Sequence, residues 1–347
     1  MTVKFNRSGT EALLDKLNII AGGQSLSQRD INEIMSNRVV DIWIKAYESW
    51  IPDARADFER VLANLQEDSP KGLSDWGVHI DNGMRSAIEN LERMQANLTF
   101  LSEFNWPQAE WHALKFLPQG THINVDIFAT VDGFNGGMFR PGKVFISLLY
   151  MSPSKLDASN FSHEFHHSGF DFWWKKAPFY VRSNEQKDTA EYWALRLFEY
   201  LISEGLANAF CSPTAIEKVE GNSERIIVHN EIIQEYEDRW DEFHSMLDGL
   251  IRRITSGNIV NIKEEYNKLT MDLSGRGLPI GHFFSGRMIR EMDRSRIVQR
   301  EQIIELVRGP FSFFKLYNTA AKERGLKEFS KDLLQNLDSL IAKLAES

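Results

Sequence analysis

The chain has 347 residues, 42% of them hydrophobic, and a formal net charge of −9, which is enough for one large or two moderate domains around a substantial core. The acidic balance excludes nucleic acid as a main partner, because phosphate binding needs a basic field and pairs such as Lys175-Lys176 and Arg252-Arg253 are too short to supply one. The single cysteine, Cys211, excludes an intrachain disulfide and reads as a small buried residue. A polar start and the lack of any apolar run of membrane-span length give the expectation of a cytoplasmic protein without a signal peptide and without a membrane partner.

In chain order, helical apolar spacing covers about residues 10–20, 28–49, 53–66 and 83–101, separated by Gly22-Gly23, Trp50-Ile51-Pro52 and Ser69-Pro70-Lys71-Gly72. Strand patterns follow. Residues 122–128 alternate apolar and polar, and residues 144–150 form a short apolar run. The glycines of the intervening Asp132–Met138 segment mark turns or a close backbone approach. A turn with Pro153, and Ser159 or Asn160 as cap, then leads into a helix.

That helix carries Ser162-His163-Glu164-Phe165-His166-His167-Ser168-Gly169, the pattern His-Glu-x-x-His. Four residues apart on a helix, His163 and His167 share a face and can both reach one divalent ion, with Glu164 beside a metal-bound water. His166 rivals His167 on spacing, and its expected role is packing or support. Ser168-Gly169 is a place for the helix to end or bend. The aromatics Trp173, Trp174, Phe179 and Tyr180 beyond it read more readily as core than as a substrate pocket.

Catalytic zinc keeps three protein ligands and an open position. The third is sought in the next helical pattern, which starts near Asp188 and ends in Glu204-Gly205-Leu206-Ala207. Glu204 shares a face with Leu197, Leu201 and Ala207, and a carboxylate on an apolar face is costly to bury without a partner. Gly205 and Ala207 are small enough to let this helix approach the first. Glu199 is the alternative ligand, whereas Asp188 and Glu191 suit the positive end of the helix dipole. After the break at Cys211-Ser212-Pro213, helices are expected over 223–254, 260–269, 280–293, 295–307, 311–322 and 327–345.

The pair formed by His163-Glu164-x-x-His167 and Glu204-Gly205-Leu206-Ala207 resembles the glutamate-ligand zinc metallopeptidases, or gluzincins, and within them a bacterial family of uncharacterised zinc-dependent peptidases. The match covers residues 120–210, with a weaker echo at 278–318; the link between the two motifs is longer than in compact members. The resemblance implies an α+β, mainly α fold: a zincin-like core at 116–212 with a small sheet over the cleft, between helical regions at 1–115 and 213–347. It also implies that segment 132–138 is an edge strand able to hold an extended peptide, an ordinary glycine-rich hairpin being the other reading.

The chemistry expected is peptide hydrolysis with Zn2+ bound by His163, His167 and Glu204, and Glu164 as base and proton shuttle. A donor is needed for the oxyanion. His282, in Gly281-His282-x-x-x-Gly286, and Tyr317 are the candidates. A non-catalytic binding protein retaining a metal site and a zinc hydrolase of a non-peptide amide are the competing readings.

Overall fold

Both strand patterns pair into one sheet, joined by two strands that the sequence pattern does not separate out. The computed structural model describes residues 2–48, 50–67, 69–151, 158–185, 187–271 and 278–346. The sheet runs β1 (Thr2–Asn6), β2 (Asn124–Thr130), β4 (Lys143–Ser147), β3 (Gly137–Arg140) in spatial order. β1 and β4 pair parallel with β2, and β3 pairs antiparallel with β4. The rest is helical, so the fold is α+β and mainly α. Among the described residues no helix is long and apolar enough to cross a membrane.

The chain divides into two compact units, residues 1–109 with 123–158 and residues 110–122 with 159–347. The sheet therefore belongs with the N-terminal helices and the two motif helices with the C-terminal ones, an interleaving that cuts the chain differently from the sequence-ordered regions 1–115, 116–212 and 213–347.

In the first unit the sheet accompanies α1 (Ser8–Ala21), α2 (Gln28–Ser36), α3 (Arg38–Glu48), α4 (Ala54–Ala63), α5 (Asp75–Glu89) and α6 (Leu91–Glu103). The single helix expected over 28–49 is two. Asn37 leaves the helical region at ψ 127, and its side chain accepts from the Val39 amide at 2.9 Å and donates to the Gly9 carbonyl at 2.9 Å. The 83–101 pattern likewise spans a break at Asn90. The glycine segment is both turn and close approach. Asp132 is buried and accepts from Trp43 Nε1 at 3.0 Å, Tyr47 Oη at 2.6 Å and the Phe134 amide at 2.8 Å. A Cβ at Gly133 would lie 2.1 Å from the His79 carbonyl oxygen. β3 then forms a hairpin with β4 and is an edge of the sheet.

Helix α7 (Trp106–Leu114) precedes β2. The second unit holds α8 (Ala158–Trp174), α9 (Pro178–Glu185), α10 (Ala190–Leu206), α11 (Glu224–Asp238), α12 (Trp240–Thr255), α13 (Ile262–Thr270), α14 (Ile280–Arg294), α15 (Arg300–Ile304), α16 (Phe313–Arg324) and α17 (Lys331–Glu346). The turn and cap read at Pro153 and at Ser159 or Asn160 lie outside the described residues and side chains. The 223–254 pattern is interrupted at Arg239, between α11 and α12. Gly169 does not end α8. It sits within the helix, where a Cβ would meet Leu117 Cδ1 at 2.2 Å, so the missing side chain admits Leu117. Trp174 is buried and stacks on Phe170, as core.

Helix α10 is the spine of the unit. Thr189 caps it by accepting from the Tyr192 amide at 3.1 Å. Trp193, Leu195, Leu197, Phe198, Leu201, Ile202 and Leu206 are buried on it, and each such side chain contributes roughly 1.5–3 kcal/mol relative to exposure. Gly205 faces α14 instead of α8: a Cβ there would lie 2.9 Å from Ile289 Cγ1 and 3.1 Å from the Ser285 carbonyl oxygen. The small residue thus brings α10 close to the helix that carries His282.

Candidate metal centre

Helix periodicity places His163 and His167 one turn apart on α8, and their Nε2 atoms are 3.1 Å from each other. From α10, Glu204 presents Oε2 at 3.6 Å from His163 Nε2 and Oε1 at 3.5 Å from His167 Nε2. A tetrahedral ion with bonds of about 2.0–2.1 Å holds neighbouring donors roughly 3.3–3.4 Å apart. The imidazole pair is slightly closer than that value, and the nearest carboxylate oxygen to each ring slightly farther. Two imidazole nitrogens and a carboxylate aimed at one point form the donor set that zinc accepts. The three side chains keep 15%, 10% and 18% exposure. Among the described residues it is the one group of three or more such side chains with donor atoms mutually within 4.8 Å.

The same face of α10 orients these donors from behind. Tyr200, Ser203, Glu204 and Ala207 follow the spacing of one helical face. The Ser203 hydroxyl is 2.7 Å from His167 Nδ1, and the Ala207 carbonyl bonds the His163 ring. Tyr200 Oη is 2.7 Å from His282 Nδ1, and His282 Nε2 is 3.2 Å from Glu204 Oε2. Asn208 Nδ2 donates to the Glu204 carbonyl at 2.9 Å. Three residues after Glu204 the helix widens into a π turn, Ala207–Cys211, with the Ser212 amide donating to the Ala207 carbonyl at 3.0 Å. Such insertions recur at functional sites because they re-aim a few side chains and carbonyls.

Glycines admit these groups. A Cβ at Gly281 would lie 2.5 Å from the Leu269 carbonyl oxygen and 2.6 Å from the Tyr200 ring, and one at Gly286 would lie 3.1 Å from Asn208 Cβ. The Gly281-His282-x-x-x-Gly286 spacing is therefore a packing requirement of α14 against α10 and its π turn.

The charges are strongly coupled. Burial alone would raise the Glu204 pKa, but His282, His167 and His163 together hold it well below the ordinary carboxylate range. Burial pulls His167 down to about 4 and lowers His282, in each case against the opposing pull of Glu204. At His163 burial also acts downward, and the bond to Glu204 with the charges of Glu164 and Glu204 outweighs it, so its pKa rises.

The remaining candidates separate clearly. Glu164 is half-buried on α8, close enough for its charge to act on His163. His282 touches Glu204 but falls outside the three-residue cluster. Tyr317 is not brought to the centre. Its hydroxyl donates to the Lys327 carbonyl at 3.2 Å, and its ring packs with His244 and Phe329 in the interior. Glu199 is ion-paired with Arg196 and is not part of the cluster. Glu191 stands in the first turn of α10, and Asp188 precedes its cap. His166 is buried and donates from Nε2 to the Phe116 carbonyl at 3.1 Å, with burial taking its pKa down to about 3. Tyr200, Ser203 and Asn208 escaped the sequence reading, although polar side chains four, one and minus four residues before Glu204 on an apolar helix are a signal for them.

A family model described as "Putative zinc dependent peptidase (DUF5700)" matches residues 52–325, most of the chain, and the chain belongs to that family. No curated protein and no solved structure matches it.

Proposed function

From that membership and this geometry, we propose that the chain is a zinc-dependent metallopeptidase of the glutamate-ligand type, with a zincin-like arrangement of α8 and α10. The observation that carries the proposal is the convergence of Glu204 with the paired imidazoles of His163 and His167. These three residues would hold the ion. Zinc bound there supplies a Lewis acid that makes water acidic near neutral pH and polarises a carbonyl.

The chain's own groups do the remainder. Glu164, one position from His163 on α8, takes the proton of the attacking water and passes it to the leaving amine. His282 carries one N–H, which rests on Glu204 and turns to the oxyanion as it develops on the substrate. Its tautomer follows from its neighbours: the Glu204 carboxylate only accepts, so Nε2 carries the hydrogen, and Nδ1 accepts from the Tyr200 hydroxyl. A ring that gives Nε2 to a metal donates from Nδ1, and the Ser203 hydroxyl is placed to accept that bond from His167.

The test is zinc analysis and peptide hydrolysis on the full chain and two variants. The unaltered chain should hold one zinc and cleave peptides. Glu164→Gln should keep the zinc and lose turnover by about 10²–10⁴-fold, and Glu204→Ala should lose the zinc. A remetallated chain that retains no ion, or a Glu164→Gln chain as active as its parent, overturns the proposal.

A further inference from the structure

Resting on that reading, we infer that the far end of the α8–α10 pair is a carboxylate-binding subsite, built on Arg196 and Lys175, that selects peptides bearing an acidic group about three residues from the scissile bond.

From Trp193 onward α10 is buried except for one stripe, Arg196, Glu199, Tyr200, Ser203 and Glu204. On α8 and the turn that ends it, His163, His167, Asp171 and Lys175 recur every four residues and so share a face. The two stripes run opposite each other in antiparallel sense. His163 and His167 meet Glu204 at one end, and at the other the charges of Asp171 and Lys175 act on the Glu199 carboxyl. The metal donors thus occupy one end of a continuous track and four charged side chains the other.

At that second end the charges are layered. Arg196 pairs with Glu199 and Lys175 with Asp171, yet the cations are 40% and 41% exposed and each acid only 21%. The carboxylates lie beneath and hold the cations, which face solvent. Tyr266 braces the same turn, its hydroxyl donating to the Arg196 carbonyl at 3.3 Å. A guanidinium and an ammonium at the same end of the two helices, each paired with its own acid, suit a carboxylate ligand.

Arg196 lies two turns before Glu204 on one helix face, about 12 Å along the axis. An extended peptide covers roughly 3.3–3.6 Å per residue. A peptide whose carbonyl sits at the metal therefore brings its third residue to Arg196. The carboxylate could come from an Asp or Glu side chain or from the peptide's own C-terminus, which is the same chemistry from two sources.

Equilibrium binding to the zinc-loaded Glu164→Gln chain tests this without turnover. The probes are N-acetylated alanine hexapeptides carrying one Glu at each position in turn, each made with a free or an amidated C-terminus. Glu at one position, or the free C-terminus, is expected to tighten binding about tenfold over the all-alanine amide. Lys175→Gln, at an exposed site, should reduce that preference, and the double change Arg196→Gln with Glu199→Gln, which leaves no buried acid unpaired, should abolish it. Equal affinity for all probes, or a preference untouched by both variants, overturns the subsite. Hydrolysis of peptides without acidic preference leaves the peptidase reading standing and removes this one. Selective carboxylate binding by a chain that hydrolyses nothing does the reverse.

Discussion

The hydroxyl of Ser203 lies 2.7 Å from Nδ1 of His167, on the nitrogen opposite the one that faces Glu204. It holds the rotation of a ring proposed to bind the metal, and the loss of such a partner commonly costs 10–100-fold in metal affinity or activity. Ser203→Ala is therefore expected to weaken zinc binding by about tenfold or more, measured by competition with a chromophoric chelator. An unchanged affinity would remove Ser203 from the centre.

Tyr200 acts through a different residue. Its hydroxyl meets His282 Nδ1 at 2.7 Å, and His282 is not among the three clustered donors. Tyr200→Phe should leave zinc affinity where it is and lower kcat by about tenfold, because the ring loses the bond that holds its orientation. The contrast with Ser203→Ala separates support of the metal from support of the transition state; a fall in zinc affinity in Tyr200→Phe would contradict it.

What the sequence disclosed and what it hid divide along physical lines. The pairing of His163 with His167 was legible because two side chains on one helix need only the helical period. Glu204 was legible because an acid on an apolar face demands a partner. Tyr317 reads identically to Tyr200 as a tyrosine among aromatics, and only tertiary packing assigns one to the Lys327 carbonyl and the other to His282. β1 has just Val3 and Phe5 as its apolar alternation, too little to distinguish it from a polar terminus. Apolar spacing runs on through Asn37, Asn90 and Arg239, so the helix breaks there depend on backbone angles that periodicity does not report. The mainly helical α+β class followed from the strand and helix patterns together with the family resemblance, whereas the interleaving of 110–122 with 159–347 is a long-range property.

Two glycines provide opposite expectations. At Gly281 a Cβ would press on the Leu269 carbonyl oxygen at 2.5 Å and on the Tyr200 ring at 2.6 Å, whereas at Gly249 in α12 there is nothing within 4 Å. Alanine is favoured over glycine inside a helix by about 0.5–1 kcal/mol. Gly249→Ala should gain that amount in denaturant unfolding. Gly281→Ala should instead lose about 1–3 kcal/mol through overpacking, and should lower turnover as Tyr200→Phe does by displacing the ring. Stabilisation of both variants would show that α14 has room to move away from Tyr200.

His244 sets an acid limit on the C-terminal helices. It is buried, stacks on Phe329 with ring centroids 4.0 Å apart, and burial together with the charge of Lys327 takes its pKa from 6.5 down to about 4. The unfolded chain binds a proton there below about pH 6.5, whereas the folded chain does not until about pH 4, so the unfolded state carries more protons throughout that window. Stability therefore rises with pH across it: the contribution is complete above pH 6.5 and is lost as the pH falls towards 4, by on the order of 2–3 kcal/mol. His244→Leu removes this titration. Unfolding free energies measured at intervals from pH 7 to pH 4.5 should fall less steeply for the variant than for the parent, and the difference between the two cancels the contributions of the other histidines. Parallel pH profiles would show that His244 takes up its proton equally in both states.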